Sequence, residues 1–201
     1  MYRIIIDTET TATPKLVYDL GYIVVNEEGH IIKSRSYLIK EVYDDRPLFD
    51  SAYYADKRGI YETYLNTRQV KKVNLGFALY QLMKDMLNYD AQAYAYNSSF
   101  DNKVIKDTAQ HFNQQKRVKG LNIQDIMVEA INHIVKTDDF RDWCETYGLM
   151  TKHKRPRPKY GAETVYRYLT QNPNFVEAHT ALEDSKIESV ILLEVLKRAR
   201  G

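Results

Sequence analysis

Apolar and polar positions divide the chain into a strand-rich front and a helix-rich remainder. Residues 3–6 form a short apolar run that ends in polar residues, the pattern of a strand buried on both faces. Residues 18–25 read as a second strand and residues 31–39 as a third. The turn Glu27-Glu28-Gly29-His30 lies between them, so an antiparallel hairpin is expected. Residues 41–72 are charged, tyrosine-rich and weakly periodic; they read as a long excursion with one short helix. Leu75, Leu79, Leu82, Met83 and Met86 then recur at helical spacing. A fourth strand is expected over 91–96, and a helix from about Phe100 carries Val104, Ile105, Thr108, Ala109 and Phe112. Further helices are expected over 123–134, 140–147 and 162–169, the three forming a cap on one edge. The last helix, over 183–200, places Ile187, Val190, Ile191 and Val195 on one face. Strands followed by strand–helix alternation predict an α/β domain with a central mixed sheet flanked by helices.

Composition narrows the function classes. A length of 201 residues suits a single domain over 1–201. Lys plus Arg number 29 against 27 Asp plus Glu, a net charge of +2, which excludes a histone-like basic protein. Any nucleic-acid contact must come from local basic patches. The single cysteine, Cys144, excludes a disulfide framework and reads as a buried residue beside Trp143. Three isoleucines followed by an acid are too short for a signal-peptide core, and no apolar run approaches the roughly 20 residues of a membrane span. A soluble cytoplasmic protein is expected, and the sequon at Asn97-Ser98-Ser99 is then without consequence. Tyrosine reaches 17 residues, enough to serve both core packing and base stacking.

Four acids sit where the pattern calls for apolar groups. Asp7 and Glu9 are two residues apart on the first strand, so both carboxylates point to the face of Ile5. They fall at the strand's C-terminal end, where open α/β sheets commonly place ligands. A strand ending at Ile6, with a solvated Asp7-Thr8-Glu9 turn, is the other local reading. Asp101 shares a helical face with Val104, Ile105 and Thr108; as a first-turn acid it could equally complement the helix dipole. Asp184 shares a face with Ile187 and Ile191, and His179 precedes it by five residues. Four inward carboxylates with few bases between them repel one another, and hard divalent cations such as Mg²⁺ or Mn²⁺ resolve that repulsion. Two such ions with a nearby histidine base make a phosphoryl-transfer site.

These residues resemble a known family. Ile4-Ile5-Ile6-Asp7-Thr8-Glu9-Thr10-Thr11 is similar to the first motif of the DnaQ-like 3′–5′ exonucleases, which have a ribonuclease H-like fold. Tyr96-Asn97-Ser98-Ser99-Phe100-Asp101 looks like the second motif, and His179-Thr180-Ala181-Leu182-Glu183-Asp184 like the third in its histidine (DEDDh) form. The motifs span residues 4 to 184. The resemblance implies that Asp7, Glu9, Asp101 and Asp184 bind two Mg²⁺ or Mn²⁺ ions. His179 would activate water, and Thr8, Thr10 and Asn97 would approach the terminal nucleotide. Phe100 would pack beside Asp101. The implied partners are a single-stranded DNA or RNA 3′ end, a polymerase on a separate chain and a second copy of the chain. One departure from the pattern is Thr10-Thr11-Ala12, where many relatives have Thr-Gly; the long excursion at 41–72 is another.

Two features outside the motifs suit a nucleic acid. Residues 148–161 hold Lys152, Lys154, Arg155, Arg157 and Lys159 around two prolines that forbid regular helix. They read either as a flexible phosphate clamp, with Lys154, Arg155 and Arg157 in contact, or as a solvated loop. Tyr53, Tyr54, Tyr61 and Tyr64 with Lys57 and Arg58 read either as local packing or as a stacking surface. The expected activity is release of 5′-mononucleotides from a 3′ end, with DNA favoured. An exoribonuclease, a phosphodiesterase for very short oligonucleotides and a non-catalytic binding module are the alternatives.

Overall fold

The computed structural model describes residues 1–200. β1 (Arg3–Thr10), β2 (Val17–Val25), β3 (Ile31–Ile39), β4 (Lys71–Val73), β5 (Gln92–Ala95) and β6 (Ile123–Asp125) form one sheet in the order β4-β3-β2-β1-β5-β6. β2 runs antiparallel to both its neighbours, β1 and β3, whereas β5, β6 and β4 pair parallel to theirs. The mixed sheet and the β2–β3 hairpin are those the pattern predicts. Every residue of β2 is buried, because both faces of the sheet are covered.

Side-chain alternation splits the core in two. Ile4 and Ile6 of β1, with Leu20, Tyr22 and Val24 of β2, face one cluster. There they meet α1 (Lys40–Tyr43), α2 (Arg46–Asp50), α3 (Arg58–Asn66), α4 (Leu75–Asn88) and α5 (Ser98–His111). Ile5, Ile23 and Val25 face the other. That side is covered by α6 (Ile126–Ala130), α7 (Asp138–Thr146), α8 (Ala162–Leu169) and α9 (Ala181–Arg198). Ile126, Phe140, Cys144 and Val165 thus join the layer of α9; the three short helices do not cap an edge.

The excursion is more ordered than its weak periodicity suggests. It contains α1, α2, a 3-10 turn over Ala55–Lys57 and α3 and ends in the edge strand β4, five elements where one short helix is expected. Aromatic packing holds it. Tyr18 meets Phe49 and Tyr61 edge-on at centroid distances of 5.0 and 5.9 Å. The helix expected over 123–134 is also corrected. Ile123 pairs with Ala93 in β6, and the Asp125 carboxylate accepts from the Met127 amide at 2.8 Å, so the helix starts only at Ile126. A single π-helical turn follows over Ile131–Val135. On α9, Val190 is 39% exposed and lies off the buried stripe, which Asp184, Ile187, Glu188, Ile191, Leu192 and Val195 form instead. No helix of the described residues is long and apolar enough to cross a membrane.

Candidate active site

β1 continues through Thr10, so Asp7 and Glu9 lie within a paired strand and not in a solvated turn. Both share the face of Ile5 and therefore look toward α9. Two features of β2 bring α9 to them. Gly21 stands opposite Asp7 in the β1–β2 pairing. A Cβ on Gly21 would come within 2.2 Å of Ala181 C and Leu182 N, so only glycine lets the start of α9 lie on the strand. Asp19 stands opposite Glu9, and its carboxylate accepts from the Ala181 amide at 3.0 Å and from the Tyr61 hydroxyl at 2.9 Å. The helix start is thereby pinned, and Asp184 projects from its first turn against the C-terminal end of β1.

α5 delivers Asp101 from the opposite side. Asn97 caps the junction in the left-handed conformation (φ 61°), and its amide donates to Asp125 at 3.2 Å. The helix follows at Ser98, and Asp101 in its first turn is buried. Thr8 is buried on the other face of β1, and its hydroxyl donates to Asp101 Oδ1 at 2.7 Å. Thr8 therefore orients Asp101. Thr10 is half-buried at a register shift, and Asn97 is exposed at the same end of the sheet. Thr11 closes the loop that follows β1: its hydroxyl accepts from the Leu16 amide at 3.0 Å.

The electrostatics match a site that needs cations. Burial, then the negative charge of Asp184 and Asp19, pushes the Glu9 carboxyl up to about 9. Asp184 is raised to about 8 by burial and by Glu177, and Asp101 to about 7 by burial. Asp7 stands well above the carboxylate range because it is desolvated and faces Glu188, Asp101, Asp184 and Glu9. Asp184 Oδ1 is buried with no hydrogen-bond partner. Such an atom is costly unless something positive meets it. One ligand atom each from Glu9, His179 and Asp184 lies within 4.8 Å of the others. Hard oxygen donors, mutual repulsion and an orphaned carboxylate oxygen all fit divalent cations.

His179 stands on the approach to α9 in the left-handed region (φ 51°). Its Nδ1 lies 3.7 Å from Glu177 Oε2. Desolvation, with Lys57 nearby, holds its pKa below the usual value, which keeps the ring neutral near pH 7. Three acids at this end were not singled out by spacing: Asp19, Glu177 and Glu188. Glu188 is buried, accepts from the Tyr96 amide at 3.1 Å and is held well above its ordinary range by burial and by Asp101. Its signal was available, since it follows Asp184 by one helical turn on the same buried stripe.

The basic segment is a closed loop. Met150 bridges Pro158, and backbone bonds join Thr151 to Arg157 at 2.8 Å and Lys159 to Leu149 at 2.9 Å. Lys154, Arg155 and Arg157 are exposed. The loop is tied to the site by the Tyr96 hydroxyl, which donates to the Tyr160 carbonyl, while the Tyr96 amide holds Glu188. Of the tyrosines in the excursion, Tyr61 is core, Tyr64 packs against the core, Tyr53 is 85% exposed and Tyr54 stacks on His179.

Sheet order and strand directions define a ribonuclease H-like α/β fold with acids gathered at the end of its central strand. Solved structures with this fold match nearly the whole chain. Exonuclease X, in complex with 5′ overhanging duplex DNA, is 17% identical with a TM-score of 0.52, covering 98% of this chain and 93% of that one. E. coli Exonuclease I with a dT13 oligonucleotide is 15% identical with a TM-score of 0.63; the match covers 99% of this chain but 42% of that one. The nuclease domain of 3′hExo, a DEDDh family member bound to rAMP, is 14% identical with a TM-score of 0.54, covering 98% and 92%. No family model matches the chain, and no curated protein matches its sequence. At these identities the likeness establishes the fold, the one that the three motifs imply.

Proposed function

We propose that the chain is a metal-dependent 3′–5′ exonuclease that removes 5′-mononucleotides from single-stranded nucleic acid, with DNA favoured. The observation that carries this reading is convergence. Asp7, Glu9, Asp101, His179 and Asp184 come from three separate parts of the sequence and meet at one end of β1. The structural neighbours support it, since those solved complexes hold duplex DNA with an overhang, an oligonucleotide and a nucleoside monophosphate.

Asp7, Glu9, Asp101 and Asp184 would hold two divalent cations, Mg²⁺ or Mn²⁺. When bound, these supply charge to the scissile phosphate and to the leaving 3′ oxygen. The chain's own residues do the rest. Thr8 fixes the Asp101 carboxylate, and the docked start of α9 fixes Asp184. His179, neutral and half-buried beside Glu9 and Asp184, takes a proton from water as its oxygen bonds to phosphorus and the P–O3′ bond breaks. Lys154, Arg155 and Arg157 would meet phosphates upstream of the reacting end.

The decisive assay digests 5′-labelled single-stranded DNA and RNA of matching sequence with Mg²⁺, with Mn²⁺ and with chelator. A cation-dependent ladder that shortens from the 3′ end is expected, faster on DNA. Faster shortening of RNA would reassign the substrate, and no shortening of either would overturn the reading. His179→Ala is expected to lower kcat by roughly 10²–10⁴-fold. Replacing Lys154, Arg155 and Arg157 together by Ala should raise KM far more than it lowers kcat. It should also reduce the slope of log affinity against log salt by about 2, at roughly 0.7 per phosphate contact on a single strand. An unchanged slope would place the strand elsewhere.

A further inference from the structure

The excursion reaches the site at two places, Tyr61 through its hydrogen bond to Asp19 and Tyr54 through His179. Tyr54 lies between α2 and α3 and stacks face to face on the His179 imidazole, with ring centroids 4.4 Å apart and planes 13° from parallel. Lys57, three residues on, lies 4.6 Å from the Tyr54 ring centroid and donates from Nζ to the carbonyl of Ala178, the residue before His179. The segment that carries both is anchored by the buried ring of Phe49 and by Ala52. His179 is thus bounded on one face by an aromatic ring, on one edge by Glu177 and along its backbone by a lysine.

We propose that Tyr54 is a positioning residue for His179: its ring face fixes the plane of the imidazole that takes the proton in the reaction above. The inference rests on the exonuclease reading for its consequence, but not for its geometry. An imidazole on a surface loop turns about two side-chain torsions, and the left-handed backbone at His179 limits the first without fixing the ring plane. Glu177 at 3.7 Å is too distant for a well-made hydrogen bond and sets only the general direction. The stack supplies what remains, since a flat ring cannot turn without losing the contact. The contact is made by the ring face, so phenylalanine can serve and alanine cannot. The same segment gives the excursion a part in the site besides packing, since Tyr54 faces His179.

The test compares Tyr54→Phe and Tyr54→Ala, each in the wild-type and in the His179→Ala background, under single-turnover conditions on a 5′-labelled oligodeoxythymidine with Mn²⁺. Tyr54→Ala should lower the maximal single-turnover rate about 10–100-fold with the half-saturating enzyme concentration little changed, as expected for a misplaced reacting group. Tyr54→Phe should stay within about twofold of the parent. In the His179→Ala background, Tyr54→Ala should have no further effect. An equal loss in both backgrounds would overturn the proposal and assign Tyr54 to the substrate. The ring carbon–proton NMR signals of His179, identified by their loss in His179→Ala, read the stack without turnover. They should lose their aromatic ring-current shift in Tyr54→Ala and keep it in Tyr54→Phe. Signals that stay in place in Tyr54→Ala would overturn the proposal. An idle parent protein with the shift present would instead overturn the exonuclease reading and leave the stack established.

Discussion

Asp7→Asn and Asp184→Asn should each abolish turnover and, in the absence of divalent cations, make the protein more resistant to heat. The first effect follows from the site. Loss of a charged ligand removes several kcal/mol of charge stabilisation at the phosphate, which at about 1.4 kcal/mol per tenfold is at least about 10³ in rate. The second follows from the repulsion. Asp7, Glu9, Asp101 and Asp184 all hold their protons more tightly folded than unfolded. For such groups the folded state binds more protons, so stability is complete below their ordinary values of 3.8 and 4.5 and falls as pH rises toward about 8 for Asp184 and about 9 for Glu9. His179, with a lowered value, works in the opposite direction, but it is one group against several. Metal-free parent protein should therefore lose Tm steadily between about pH 4 and 9. Asn variants should show a shallower decline, gaining at least about 1 kcal/mol at pH 8, or about 2–4 °C for a chain of this size. Mn²⁺ should restore the parent's Tm and leave the variants much less affected. Thermal melts across pH, with and without Mn²⁺, check this. Full activity in both variants would remove these acids from the site, and a flat Tm profile would show that the carboxylates do not strain the fold.

Gly21→Ala should damage fold and activity together. A Cβ there would sit 2.2 Å from the backbone of Ala181 and Leu182, and neither can swing aside as a side-chain tip can. Overpacking of this kind costs about 1–3 kcal/mol or more, here at the upper end, which lowers Tm by about 5–10 °C. If the fold absorbs the clash, it does so by lifting the start of α9, which carries Asp184 and follows His179. A shift of about 1 Å there can cost roughly 10²-fold in rate. Gly59→Ala is the control. It lies in α3 with nothing within 4 Å of the added carbon, so it should stabilise by about 0.5–1 kcal/mol through helix propensity. Equal melts and equal rates for the two variants would show that α9 does not depend on Gly21.

Much of this was legible in the chain. β3 and α8 coincide with their expected bounds: β3 follows the turn Glu27-Glu28-Gly29-His30, and α8 follows Gly161 with its apolar positions at helical spacing. The four motif acids stood out because carboxylates among apolar residues are costly: β1 carries two of them, and the starts of α5 and α9 carry one each. The excursion was not, since α1, α2 and α3 are too short to show a period and are held by Tyr18, Phe49 and Tyr61 across the sequence. The strand β6 was misread because three residues cannot be distinguished from the first turn of a helix; pairing with β5 decides it.

By itself, the sequence determined the alternation that splits the core between two faces of a sheet, the face that carries Asp7 and Glu9, and the residue types that suit hard cations. Those properties depend on neighbours two to four positions away. The tertiary structure decided what depends on residues far apart. Gly21 admits the start of α9, Asp19 pins it, Glu188 adds a fifth acid beside Asp7, and Tyr54 lies on His179. Each of these requires two backbones to meet at a distance of a few ångströms, and a meeting of that kind leaves no period in the chain.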